Sequence, residues 1–237
     1  MKLGIMQPYF MPYIGYISLI KHTDRFILFD TVQFIRHGWI ERNRMLKQNE
    51  GWQYIQIPLI KQNGRETVIK DVKINNQENW KNKILAQIQH YKKVAPYYRR
   101  VVAILDEIFQ REYEDITSLN KYSLEVICKY LGFEKEIEVF SEMNLLIMPA
   151  NEPDEWALNI CKAIDGANEY INPIGGLSFF DRKKYEDAGI NIYFQEMKIT
   201  EYSQKRSLFE PGLSILDVMM WNDVNEINKM LDNYTLV

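Results

Sequence analysis

An aromatic segment bounded by prolines, near the start of the chain, is the densest group of residues that could bind a small molecule. Residues 7–16 read Gln-Pro-Tyr-Phe-Met-Pro-Tyr-Ile-Gly-Tyr, and tyrosine offers both a ring face for packing and a hydroxyl for hydrogen bonding. The glycine would let a ligand approach the backbone closely, and the two prolines would hold the loop rigid. The alternative is a rigid hydrophobic turn that packs only on its own core. The candidate substrate-binding residues here are Gln7, Tyr9, Tyr13, Gly15 and Tyr16.

A second group, which contains the candidate catalytic residues, follows the next predicted strand. Asp30 stands at the carboxyl end of that strand, where a carboxylate can act as a base or anchor an amine or hydroxyl. His37 in the following loop is a second candidate base, and Arg44 could clamp a phosphate or carboxylate with two hydrogen bonds. Gln33 and Asn43 add neutral hydrogen-bonding groups of the kind that sugars need. The alternative is a capping aspartate followed by an exposed loop with solvated basic side chains.

A third group lies in an Asn-Pro-Ile-Gly-Gly run and contributes Asn172, Gly175 and Gly176 as candidate substrate-binding residues. Paired glycines after a strand can cradle a phosphate through their backbone N–H groups, but they are equally typical of an ordinary loop. The chain has no Walker A, Gly-x-Gly-x-x-Gly or Gly-x-Ser-x-Gly sequence. Its three histidines have no metal-ligand spacing, so no metal site is predicted.

Residues 13–16 read Tyr-Ile-Gly-Tyr and have the spacing of the nucleotidyltransferase signature His-x-Gly-His. They also occupy the same position in the fold, where the first strand ends and the first helix begins. Tyrosine cannot supply a cationic imidazolium to a phosphate, so the chemistry of that signature does not carry over. We therefore interpret the tyrosines as binding residues.

The elements that must position these residues alternate between strands and helices. Residues 2–6 and 25–29 are apolar runs typical of strands, and residues 14–21 between them have a helical pattern. This order predicts a parallel α/β sheet, either nucleotidyltransferase-like or Rossmann-like. Later strands are predicted at residues 137–140, 170–172 and 191–194, and later helices at residues 153–164, 179–187, 214–221 and 223–231.

A β-hairpin arm is predicted beside that sheet. Residues 53–58 and 68–74 alternate apolar and polar side chains, and an Asn-Gly pair in the turn at residues 61–65 would join them. Residues 31–51, which precede the arm, are polar and poorly periodic, so we interpret them as a loop with short extended pieces.

From residue 77 to residue 132 the apolar residues recur every three to four positions, which predicts two or three consecutive helices. Gly132 stands where a helix C-cap is expected. Because the chain has neither an internal repeat nor a linker, we interpret residues 1–237 as a single domain, with residues 77–132 as a helical insertion or subdomain.

The composition narrows the class of protein. Of 237 residues, 46% are hydrophobic and 26% are charged, which excludes a disordered or low-complexity chain. A net charge of −3 gives no broad basic field, which argues against nucleic acid as the main ligand. Apolar runs are too short for a membrane helix, and the N-terminus lacks the apolar core of a signal peptide. Cys128 and Cys161 lie in apolar helical patterns, which favours buried, reduced thiols and a cytoplasmic protein.

The chain resembles the bacterial WbqC-like family. The resemblance rests on the 7–16 motif, on Leu-Phe-Asp-Thr-Val-Gln-Phe at residues 28–34 and on Arg-Asn-Arg-Met at residues 42–45. The C-terminal half is similar as well, in Tyr-Ile-Asn-x-x-Gly-Gly at residues 170–176 and in Phe-Glu-Pro-Gly-Leu-Ser-Ile-Leu-Asp at residues 209–217. Where the family often has Leu and Trp, this chain has Met11 and Tyr13, which is a conservative change.

The resemblance implies a transferase role in the biosynthesis of O-antigen, the polysaccharide of lipopolysaccharide, or of a related product. The implied reaction is acyl or aminoacyl transfer, glycyl transfer included, onto the amine of a dTDP-linked amino sugar, catalysed by an acyltransferase. The resemblance also adds Ser214 and Asp217 to the candidate substrate-binding residues. An ATP-dependent adenylating or nucleotidyltransferase-like enzyme, and a non-catalytic protein that binds a sugar nucleotide, are the alternatives.

The sequence does not identify the acyl donor. An acyl-carrier protein thioester, coenzyme A, an aminoacyl-tRNA and a free amino acid with ATP and Mg²⁺ all remain open as donor systems. No resident cofactor, metal or membrane partner is predicted, and a homodimer is compatible with the sequence.

Overall fold

The computed structural model describes residues 1–61 and 66–237 of the chain. Short apolar runs form the strands, and longer stretches with apolar residues three to four positions apart form the helices. The strands are β1 (Lys2–Met6), β2 (Arg25–Leu28), β3 (Arg42–Leu46), β4 (Trp52–Gln56), β5 (Ile137–Val139), β6 (Glu169–Pro173), β7 (Asn191–Met197) and β8 (Tyr234–Leu236). The α-helices are α1 (Ile14–His22), α2 (Trp80–Gln87), α3 (Tyr98–Phe109), α4 (Ile116–Tyr130), α5 (Glu155–Ala163), α6 (Arg182–Asp187), α7 (Ile215–Trp221) and α8 (Val224–Leu231).

Six strands form one sheet in the order β5-β2-β1-β6-β7-β8, in which the first five are parallel and β8 is antiparallel to β7. The predicted α/β fold with a mostly parallel sheet is confirmed. The chain builds outward from β1 on one side and then returns to add β6 and β7 on the other side. That order is the Rossmann-like one, and its switch point lies between β1 and β6. Ligands of open α/β sheets bind beside such a point, at the carboxyl ends of the strands.

Helices cover both faces of the sheet because side chains alternate along each strand. Phe26 and Leu28 of β2 point into a large core that includes α1, α3, α4, α7 and α8. Ile27 lies in a second core on the opposite face, with side chains of α5 and α6. The predicted buried thiols, Cys128 and Cys161, lie one in each core, and burial raises the pKa of each to about 12. Among the described helices, none has the length and apolarity to cross a membrane.

The β-hairpin arm is confirmed, but one of its predicted strands is wrong. β4 does not pair with residues 68–74. It pairs antiparallel with β3, which lies within the predicted loop at residues 31–51. Ile69–Asp71 form a 3₁₀ turn, which places the buried side chains of Ile69 and Val72 three residues apart on one side. A single bridge between Leu59 and Ile74 is the remnant of the predicted pairing. Except for Lys61, the predicted turn at residues 61–65 lies outside the described residues.

The helical segment from residue 77 to residue 132 is confirmed as three α-helices, α2, α3 and α4, with a 3₁₀ helix at Gln89–Lys93. Gly132 has a φ of +86° after α4, as its predicted C-cap position requires. The buried side chains of the helical segment, among them Trp80 and Leu105, belong to the same core as α1 and α7. The division of the chain into domains stays a prediction.

Candidate functional site

The loop between β1 and α1 is held in place at almost every carbonyl group. The side-chain donors and their carbonyl acceptors are Tyr16 to Gln7 (2.8 Å), Asn120 to Pro8 (2.8 Å), Asn43 to Phe10 (3.1 Å) and Ser214 to Met11 (2.7 Å). The backbone N–H of Ile215 adds a bond to the Pro12 carbonyl at 2.7 Å. Met11 keeps a φ of +42°, which a non-glycine residue adopts only where its surroundings impose it. The motif is therefore a preorganised loop at the carboxyl end of β1.

Three of the predicted substrate-binding residues hold the 7–13 loop in place. Tyr16, Asn43 and Ser214 are buried, and each donates its hydrogen bond to the loop. Asn43 also accepts a bond from the backbone N–H of Arg44 at 2.9 Å. These side chains shape the loop, and direct contact between them and a substrate stays a prediction.

Gly15 leaves space for the ring of Tyr13. A Cβ at this position would lie 2.5 Å from atoms of the Tyr13 ring, so the glycine makes room for that ring. Tyr13 and Tyr9 are half-buried, and burial raises the pKa of both phenols. Within the described residues, the side chain of Gln7 has no hydrogen-bond partner. Contact of Gln7, Tyr9 and Tyr13 with a ligand stays a prediction.

Asp30 lies at the carboxyl end of β2, buried and tied to the segment after β5. Its two carboxylate oxygens accept from the backbone N–H of Ser141 at 3.1 Å and from the Ser141 hydroxyl at 2.6 Å. Burial raises the pKa of Asp30, and the two bonds from Ser141 act in the opposite direction. The carboxyl group therefore holds the proton more strongly than an ordinary aspartate does, within a fixed hydrogen-bond arrangement.

Arg44 extends from β3 between two tryptophans. Its guanidinium carbon lies 5.6 Å from the Trp39 ring centre and 5.3 Å from that of Trp52, and Nη2 donates to the Gly212 carbonyl at 3.0 Å. In the described part of the chain, Nε is buried without a partner and the guanidinium has no carboxylate within salt-bridge distance. Arg44 is thus a cation whose charge is stabilised by aromatic rings.

Asn172 ends β6, next to the switch point, and its amide is engaged at both ends. It accepts from the Tyr170 hydroxyl at 2.9 Å and donates to the Pro173 carbonyl at 2.9 Å. Gly175 and Gly176 follow in a 3₁₀ turn, in which neither has a positive φ. A Cβ at Gly176 would lie 1.9 Å from Nδ2 of Asn172. The second glycine therefore accommodates the asparagine.

Replacing Gly176 with alanine is expected to lower the free energy of unfolding by about 1–3 kcal/mol, because the new methyl group must displace a buried, hydrogen-bonded amide. Gly175→Ala is the matched control, since a Cβ there meets nothing within 4 Å. Urea denaturation of both variants measures the difference. An equal decrease in the free energy of unfolding in the two variants would contradict the interpretation that Gly176 leaves space for the Asn172 amide.

Asp217 lies in the first turn of α7 and is completely buried. Its carboxylate accepts from the Tyr91 hydroxyl and, at 2.8 Å, from the Tyr202 hydroxyl. Burial raises the pKa of Asp217 to about 6, although both hydrogen bonds oppose the shift. The structure thus places this predicted binding residue in an internal network with two tyrosines.

A cavity of about 650 Å³ lies along the segment that follows β2. The predicted residues Gln33 and His37 line it. Glu41 and the basic side chains of Arg36 and Lys61 line it as well, and none of these three was predicted as a site residue. The available signal for Glu41 was that it is the one acidic residue between positions 31 and 49 of the sequence. Within residues 1–61 and 66–237, no three His, Cys, Asp or Glu side chains cluster in a way that could hold a metal ion.

No residue of the 7–13 loop lines this cavity, but hydrogen bonds join the loop to the two residues that precede Glu41. Asn120 of α4 donates to the Ile40 carbonyl at 3.0 Å as well as to Pro8, and the Phe10 N–H donates to the Trp39 carbonyl at 2.9 Å. The structure therefore brings the 7–13 loop and the segment that leads into Glu41 together. Asp217, by contrast, lies inside the core beneath them.

The residues that build this arrangement, from the loop after β1 to the network on α7, lie within a stretch matched by a family model. The model is that of the WbqC-like protein family, and it matches residues 7–229. The chain belongs to the WbqC-like protein family. This WbqC-like protein is also similar to an uncharacterized protein of Mycobacterium tuberculosis, Rv1507c, with 26% identity over 220 residues, which cover 92% of each chain. No solved structure matches it.

Proposed function

We propose that this WbqC-like protein is an acyl or aminoacyl transferase that forms an amide on the amino group of a dTDP-linked amino sugar for O-antigen or related polysaccharide biosynthesis. The observation that supports the proposal most is the mixed charge of the cavity along the segment that follows β2. Arg36 and Lys61 supply positive charge suited to a diphosphate, and Glu41 supplies a carboxylate suited to an amine. The volume of about 650 Å³ is within the range of small-molecule sites.

In the proposed reaction, the sugar amine attacks the carbonyl carbon of an activated acyl group. The new C–N bond forms as the C–S bond of a thioester, or the C–O bond of an ester, breaks. The amine loses a proton, and the departing thiolate or alkoxide takes one up. Asp30 is our candidate for the base, because its raised pKa makes it a stronger proton acceptor than an ordinary aspartate. Arg44 is the candidate anchor for a phosphate or carboxylate.

The assay combines the protein with a dTDP-amino sugar and, in separate reactions, with acetyl coenzyme A, an acyl-loaded carrier protein, glycyl-tRNA, or glycine with ATP and Mg²⁺. Mass spectrometry would detect a nucleotide sugar made heavier by the acyl group. Pyrophosphate release in the ATP reaction would identify the adenylating alternative.

Asp30→Asn is expected to lower kcat about 100-fold or more, because it removes the base. Arg44→Ala is expected to raise KM about tenfold through the loss of a charged hydrogen bond. Asp187→Asn, at an exposed position, is the control and should leave both constants unchanged. Full activity of the Asp30 and Arg44 variants would contradict the residue assignments.

One observation favours a second candidate function, a non-catalytic protein that binds a dTDP-sugar. Both carboxylate oxygens of Asp30 are engaged by Ser141, an arrangement that suits a structural carboxylate as well as a base. Calorimetric binding of the dTDP-amino sugar, with no product from any donor, would support this candidate over the transferase.

A further inference from the structure

Glu41 is a buried carboxylate with one oxygen unused. The residue is 2% exposed and lines the cavity between the segment that follows β2 and the residues at the end of β4 and after it. Its Oε1 accepts from the backbone N–H of His37, whereas Oε2 is buried without a partner among the described residues. The cavity wall therefore includes a hydrogen-bond acceptor without a partner in the described part of the chain.

The charge of the neighbouring Arg42 lowers the pKa of Glu41, but the two side chains form no salt bridge in the described part of the chain. The guanidinium of Arg42 packs 4.0 Å over the Tyr54 ring and donates to the His37 carbonyl. The backbone of Glu41 is fixed as well, because its carbonyl accepts from the Ile57 N–H at 2.8 Å. Neither the fixed backbone of Glu41 nor the position of Arg42 provides a partner for Oε2 among the described residues.

Such an arrangement is unfavourable in the unliganded protein. A buried polar atom without a partner costs free energy, and the cost is larger for a charged group. Burial accordingly raises the pKa of Glu41. A ligand that brings a hydrogen-bond donor into the cavity would remove this penalty, and a donor with positive charge would do so most effectively.

We propose that Glu41 is the residue that recognises the amino group of the ligand, through a charge-assisted hydrogen bond to Oε2, while the diphosphate lies toward Arg36 and Lys61. The proposal rests on the proposed function for the identity of the ligand, a dTDP-amino sugar. It goes further in assigning specificity, since a sugar with a hydroxyl in place of the amine would form only the weaker neutral bond.

Binding without any acyl donor tests the proposal independently of catalysis. Isothermal calorimetry would compare three probes, namely a dTDP-amino sugar, the same dTDP-sugar with a hydroxyl in place of the amine, and dTDP alone. The wild-type protein is expected to bind the amine about tenfold more tightly than the hydroxyl analogue. Glu41→Gln should abolish this preference and leave dTDP affinity unchanged, because its carbonyl oxygen still accepts from His37. Glu201→Gln, an exposed control with the same change of charge, should behave as wild type.

Thermal unfolding separates recognition from a structural role. Glu41→Gln removes a buried charge, so its Tm is expected to equal or exceed that of the wild-type protein. A lower Tm, with weaker binding of all three probes, would identify Glu41 as structural and overturn the proposal. An amine preference that survives in Glu41→Gln, or wild-type protein that binds none of the probes, would also overturn it. If the preference depends on Glu41 but no donor yields product, the transferase proposal fails and the assignment of Glu41 stands.

Discussion

Asn120→Ala is expected to lower the free energy of unfolding by about 2–5 kcal/mol and to weaken binding of a dTDP-amino sugar. The amide of Asn120 is completely buried on α4 and donates to the carbonyls of Pro8 and Ile40, at 2.8 and 3.0 Å. Its removal leaves both buried carbonyls without that donor and creates a small cavity. Because the two carbonyls belong to the 7–13 loop and to the segment that leads into Glu41, both segments should loosen, and the second of them carries a side chain that lines the cavity.

Asn228→Ala is the matched control for this variant. Asn228 also donates to two carbonyl groups, those of Leu131 and Val224, but it is half-buried on α8, away from the cavity. Asn228→Ala should lower the free energy of unfolding by less, about 1 kcal/mol, because water can reach the freed groups. Its calorimetric affinity for the dTDP-amino sugar should not change. Urea denaturation measures both losses. If Asn120→Ala is no less stable than Asn228→Ala, the two bonds of Asn120 do not hold the loop.

Asp217→Asn is expected to remove a pH dependence of stability worth up to about 3 kcal/mol, given 1.36 kcal/mol for each pKa unit. The pKa of Asp217 is about 6 in the folded protein, against an ordinary value of 3.8. A raised pKa means that the folded state favours the protonated carboxyl. Its contribution to stability is therefore complete below pH 4 and is lost as the pH rises to about 6.

The measurement compares wild type and Asp217→Asn by urea denaturation at several pH values between 4 and 7. Taking the difference at each pH cancels the titration of the other groups. The wild-type protein should lose stability relative to the variant as the pH rises. Asp187→Asn, which replaces an exposed aspartate, should show no such trend. A difference that does not vary with pH would show that burial does not raise the pKa of Asp217 as the structure indicates.

The main sheet was largely predictable because its signals are local. β1 begins and ends at the predicted residues, and β2 ends one residue earlier than predicted. Apolar runs bounded by prolines and polar residues identify such strands without knowledge of their neighbours. β8 was not predicted, since three residues, Tyr-Thr-Leu, are too few for a period to be recognised.

The arm was predicted with the wrong partner because β3 lacks a clear alternation of apolar and polar residues. β3 reads Arg-Asn-Arg-Met-Leu, and its inward positions include Asn43, a polar side chain that satisfies the Phe10 carbonyl. The outward arginines pack on aromatic rings, Arg42 on Tyr54 and Arg44 on Trp52. Only the folded chain shows that these polar residues occupy strand positions.

The amino-acid sequence by itself determined the family, the α/β class and the segments that surround the site, since these depend on motifs and on periodicities within a few residues. The tertiary structure decided what each polar side chain binds. Asn120 reaches Pro8 across 112 positions of the chain, and Tyr91 reaches Asp217 across 126. It also decided that one oxygen of Glu41 has no partner among residues 1–61 and 66–237. Hydrogen-bond partners are set by which distant segments meet in space, and a local pattern carries no information about that.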